Sequence, residues 1–144
     1  MLQDIKKEFF ALRNGIVADT LRKAGMHYKV IFGLQIPQIA AIAQNLKNKE
    51  SGEYTDIIIL ADELWNDKEV RESRILACYL FPPENVNIER ALQLAKEVKT
   101  PEEGDMLAFR LFKHLDFAAE LLKRMEEDTE IPAYASFSLR RHLE

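Results

Sequence analysis

Apolar side chains recur at steps of three and four through most of this chain, separated by short polar breaks. Leu2, Ile5, Phe9, Leu12 and Ile16 form the first such stripe, with Lys6, Lys7, Arg13 and Asp19 between them, which predicts one amphipathic helix to about residue 24. Gly25 ends it. Residues 26–36 (MHYKVIFGLQI) lack a helical period yet are apolar and aromatic, so they are expected to pack as a loop, with Gly33 as a breaker before Pro37 opens the next helix. That second helix runs to about residue 49, buries Ile39, Ile42, Ala43 and Leu46, and is ended by the polar stretch 48–53. A third helix follows from Tyr54; its triple isoleucine would suit a strand, but Leu60, Ala61, Leu64 and Trp65 continue it at helical spacing.

A fourth helix, 68–81, stops at Pro82-Pro83, because proline disfavours helix in its predecessor and has no amide hydrogen to donate. The fifth, from about Asn87, carries Ile88, Ala91, Leu92, Ala95 and Val98 on one face. Thr100-Pro101-Glu102-Glu103 reads as a capping box opening the sixth: the Thr hydroxyl accepts the N3 amide, Pro101 needs no donor at N1, and Glu103 reaches back to the cap. A seventh helix covers 116–126 with Phe117, Leu121, Leu122 and Met125 buried, and an eighth runs from Pro132 to the end. The expectation is a single all-α domain over residues 1–144.

Composition sharpens this picture in three ways. With 144 residues, 47% hydrophobic and 31% charged, the chain is long and apolar enough to bury a core without metals or disulfides. Cys78 is the one cysteine and lies among Leu76, Ala77, Tyr79 and Leu80, so it is read as a small packed residue in a reducing compartment. With no basic leader and no apolar run of membrane length, the expected location is the cytoplasm, without a membrane anchor. The formal net charge of −4 argues against attraction of nucleic acid by the whole surface, while leaving room for a local basic face. His27, His114 and His142 share no metal-ligand spacing, and no nucleotide-binding or nucleophile motif is present, so neither metal nor cofactor is expected.

The motif of an apolar helix, a polar break and a second helix recurs near Trp65, Val98 and Met125, at intervals of about thirty residues, the signature of a helical-hairpin array. In the clearest copy, Asp67-Lys68-Glu69-Val70-Arg71 resembles the Asp…Val-Arg turn of HEAT repeats, whose Asp and Arg help neighbouring hairpins stack. Phe32-Gly33-Leu34-Gln35-Ile36-Pro37 and Glu63-Leu64-Trp65 narrow the likeness: they resemble segments of the DNA alkylation repair (AlkD-like) family, HEAT-like proteins that excise bulky or cationic alkylated bases. The resemblance implies a right-handed α-α superhelix of about four stacked hairpins and a possible partner in double-stranded DNA.

It also implies where chemistry would lie. In the family an aspartate follows an aromatic residue by four positions, and a later repeat supplies an Arg and a Trp. Asp105 is the candidate acid here, with Glu103 beside it, but the aromatic position holds Pro101 and the Arg position falls near Ala135. Aromatic walls and a carboxylate beside the developing positive charge are what this excision requires, so the expectation is a non-catalytic member with weak, sequence-independent binding to the DNA backbone. Second helices of hairpins line the concave face, which assigns Arg71, Arg74, Arg110, Lys113, Arg140 and Arg141 as a phosphate-tracking strip, the alternative being ordinary solvated charge. Trp65 is read as core. Two competing functions remain: a protein-interaction module whose concave face takes a peptide or partner helix, and an active glycosylase using Asp105 or Glu103.

Overall fold

The computed structural model describes residues 1–49 and 54–144, and among them the regular elements are all helical. They fall into two compact units, Met1–Leu80 and Phe81–Glu144. The first holds α1 (Leu2–Ala11), α2 (Gly15–Lys23), α3 (Ile36–Lys49), α4 (Tyr54–Asn66) and α5 (Arg71–Leu80). The second holds α6 (Ile88–Lys96), α7 (Pro101–Arg110), α8 (Ala118–Glu127) and α9 (Ala133–Leu143), with 3-10 turns at Pro83–Asn85 and Phe112–His114. Most of the polar stretch 48–53, expected to end the second predicted helix, lies outside the described residues.

The first predicted helix is in fact two. Residues 12–14 leave helical geometry, and Asn14, extended at φ −140°, accepts the Ile16 and Val17 amides on its side-chain oxygen. This local capping overrides the apolar stripe: Ile5 and Phe9 are buried as expected, while Ile16 is 81% exposed. α2 closes with a left-handed Gly25 (φ 97°), whose amide and that of Met26 return to the Arg22 and Leu21 carbonyls. Met26 and Leu21 then pack on the small cluster Ala18, Tyr28 and Ile31.

In the first unit α5 packs against α4 and α3, and nearly all of it is buried. The main core joins Phe9, Leu34, Ile39, Leu64, Trp65, Ile75 and Leu76, none of them accessible to solvent. α3 buries the four residues its period predicts, Ile39, Ile42, Ala43 and Leu46. α5 begins three residues later than predicted, because residues 67–70 form a turn in which Val70 makes an isolated parallel bridge with Val30. The Val30 amide donates to the Glu69 carbonyl and the Arg71 amide to that of Val30.

That bridge aims the packed loop at Glu72. Its fully buried carboxylate accepts the backbone amides of Phe32 (2.9 Å), Gly33 (3.0 Å) and Leu34 (3.3 Å), and the Arg71 guanidinium at 2.9 Å. Three successive amides converging on one anion form a nest, and Gly33 (φ 93°) supplies its left-handed residue. A Cβ on Gly33 would meet the Asn14 carbonyl oxygen at 2.1 Å, and the Asn14 amide bonds the Phe32 carbonyl, so the start of α2 lies directly on the nest.

In the second unit α7 packs on α9 and α8 on both α6 and α9. The predicted Thr100 cap forms, its hydroxyl accepting the Glu103 amide at 3.2 Å. Glu103, fully buried, accepts the Lys99 amide at 2.9 Å, so its carboxylate turns back toward the start of the helix as the capping box predicts. Among the described residues no helix is long and apolar enough to cross a membrane.

Two measurements check this frame. Glu72→Gln leaves the Arg71 guanidinium buried without its anion and is expected to lower unfolding free energy by about 3–5 kcal/mol in urea denaturation. Gly33→Ala is expected to destabilise more than Gly25→Ala: both impose a strained φ, but only at Gly33 does the new methyl strike backbone. Equal losses at the two glycines would mean the close approach of α2 is unimportant.

Candidate functional site

The six residues predicted to track phosphates separate by burial. Arg71 and Arg74 are each only 3% exposed. Arg71 Nη1 donates to the Leu34 carbonyl at 2.8 Å as well as to Glu72, and the Arg74 guanidinium lies over the Trp65 ring at 3.9 Å from its centroid. Both hold the first unit together, and their burial removes them from any solvent-facing strip. The sequence reading gave α5 a wet face, whereas nearly all of that helix is buried. Trp65 is fully buried, as its place on the apolar face of α4 predicts. Asp67, in the repeat-like turn, is likewise structural, accepting the Ser73 hydroxyl at 2.7 Å and pairing with Lys6 at 3.5 Å.

The other four lie in the second unit and are not equivalent. Arg140 makes a forked pair with Glu126, Nε at 2.9 Å and Nη2 at 2.7 Å, and these hydrogen bonds, followed by the same carboxylate's charge, hold the guanidinium above its ordinary pKa. Arg141 and His142, in the last turn of α9, converge on Asp105 in α7, Arg141 Nη2 at 3.2 Å and His142 Nε2 at 3.1 Å from Oδ1. One turn on from Asp105, Phe109 packs its ring on His142 at 5.2 Å between centroids. Lys113 Nζ and the Arg110 guanidinium lie 4.0 and 4.8 Å from the centre of the Phe109 ring, and Arg141 lies 5.6 Å from that of Phe137. Phe109 and Phe137 carry no sequence signal of exposure, since Met106, Leu107 and Ala108 in α7 and Ala135 and Leu139 in α9 are buried beside them.

Asp105, the candidate acid, is therefore a half-exposed carboxylate engaged by two groups of the chain's last turn, and Pro101 one turn before it offers no aromatic face. Ala135 is 2% exposed, its Cα only 3.3 Å from where a Gly104 Cβ would lie, so α7 and α9 meet where the resemblance would place an arginine. Tyr134 borders the same contact; burial, then the nearby Glu103 charge, pushes its phenol pKa up. Among the described residues no group of three or more His, Cys, Asp or Glu could hold a metal ion.

Ala135→Arg should thus not recreate a family site but force apart α7 and α9. A loss of more than about 3 kcal/mol in thermal or urea unfolding is expected, since overpacking and an unpaired buried charge act together. Wild-type stability in this variant would show that an arginine fits there.

Residues 5–130 match the sequence profile of a family described as DNA alkylation repair enzyme. No curated relative and no solved structure matches the chain. With a match reaching from α1 to the turn after α8, this chain belongs to the DNA alkylation repair enzyme family.

Proposed function

We propose that the chain is a non-excising member of its family that binds DNA weakly by its phosphates, through the α7–α9 surface. The observation that carries the reading is Asp105: its carboxylate is engaged by Arg141 and His142, and the residue four before it is a proline. Stabilising the cation that develops as an alkylated base departs calls for a carboxylate aimed at the sugar and aromatic walls around it. The first is already engaged, and Pro101 supplies no ring at the position where the resemblance would put one. A scaffold of about four stacked hairpins in a right-handed superhelix, implied by the resemblance, is part of this reading.

Phosphate contact falls to Arg110, Lys113 and Arg141. Arg141 is held to Asp105 by a single 3.2 Å contact, whereas Arg140 would have to leave a shorter, forked pair with Glu126, and Arg71 and Arg74 are buried in the first unit. Three contacts on a chain of net charge −4 fit modest affinity without sequence preference. The competing reading, a protein-binding module, draws on exposed apolar side chains of the first unit such as Phe10 and Ile16.

Fluorescence anisotropy of a labelled duplex across a salt series tests the proposal. Affinity should fall with a log–log slope of about −3, from about −0.9 per neutralised phosphate, and Lys113→Ala should reduce that slope by about 1. Absence of binding at low salt rejects the DNA reading in favour of the protein module. Incubation with methylated duplex should release no free alkylpurine; release that Asp105→Asn abolishes would make the chain a glycosylase after all.

A further inference from the structure

Phe109 and Phe137 are large apolar side chains left 36% and 62% exposed, with Arg110 and Lys113 against the Phe109 ring and Arg141 against that of Phe137. Contacts within the second unit link them into one patch: Phe137 to Arg141, Arg141 and His142 to Asp105, and His142 to Phe109, with Lys113 and Arg110 beyond. Three permanent cations and one histidine thus lie against two partly exposed aromatic rings, with Asp105 the carboxylate tying the α9 turn to α7.

We infer that this patch is a site for single-stranded nucleic acid, in which unpaired bases stack on Phe109 and Phe137 while Arg110, Lys113 and Arg141 take the flanking phosphates. The inference rests on the phosphate-binding reading above and adds the bases to it. Paired bases within a duplex are stacked on one another and offer a face to a protein ring only after a base step is unstacked, at a cost of about a few kcal/mol that an unpaired strand does not bear. A polyanionic backbone with unstacked bases satisfies both parts of the patch, its charge and its apolar rings. An acidic peptide would meet the cations and leave the rings in water.

The test uses the full chain and three labelled ligands of equal length: oligo-dT, an abasic strand with the same phosphates, and a duplex. The expected order is oligo-dT tightest, with the abasic strand at least about fivefold weaker. Phe137→Ala and Phe109→Ala should each weaken oligo-dT binding about five- to tenfold and leave the abasic strand unchanged, while Lys113→Ala weakens both. Phe137→Tyr, which keeps a stacking face, should bind oligo-dT as wild type does. Because Phe137 is the more exposed, its variants decide the matter should Phe109→Ala alter the fold by circular dichroism. Equal affinity for oligo-dT and the abasic strand, or insensitivity to Phe137→Ala, overturns the stacking site while leaving phosphate binding intact. Failure of all three ligands at low salt overturns both, and polyglutamate bound as tightly as oligo-dT reduces the patch to simple charge.

Discussion

A buried carboxylate organises the first half of this chain. Glu72 gathers three amides from a loop about forty residues earlier and the guanidinium of its own neighbour. An ionised group without solvent is tolerable only when nearly every acceptor position is filled, so the nest and the carboxylate require each other. From this follow the left-handed Gly33, the bridge between Val30 and Val70, and the placement of Asn14 where α2 begins. The arginine that completes the arrangement is consequently buried and engaged within the first unit.

That division of labour explains why charge in this protein must be read by location. Arg71 and Arg74 lie on a helix that is almost entirely buried, one engaged by Glu72 and a carbonyl, the other stacked on Trp65. Arg110, Lys113 and Arg141 lie in or just beyond helices with a wet face, and meet aromatic rings that are themselves open to water. Where the resemblance would place catalytic groups, the second unit instead has an ion pair at Asp105 and a close helix contact at Ala135. Family membership and the proposed absence of base excision are compatible, since the scaffold depends on helix packing and the chemistry on a few side chains.

Much of the fold could be read in advance where local signals agree with packing. The face of α3, the burial of Leu121, Leu122 and Met125 in α8, the burial of Trp65, the Pro82-Pro83 stop and the Thr100 cap all follow from periodicity and end chemistry, whereas Phe117, also expected to be buried, is half-buried just before α8. The stripe through Leu12 and Ile16 misled because Asn14-Gly15 can cap a new helix at a small cost in apolar burial, a competition that periodicity does not weigh. α5 misled for a different reason. Its sequence, RESRILACYL, mixes charge and apolar residues as a surface helix does, and only contacts some forty residues away show that its charges are internal. The pairing of Asp105 with the last turn of the chain is equally long-range, so the residue could be nominated from its neighbours but its availability could not be judged.

The most direct measurement of the central claim, that ligand contact belongs to α7 and α9 while the arginines of α5 belong to the fold, is amide chemical-shift mapping by NMR during titration with DNA. Shifts are expected to concentrate at residues 105–113 and 137–142, with Arg71, Glu72 and Arg74 unmoved. Shifts centred on α5, with the α7–α9 surface silent, would contradict it.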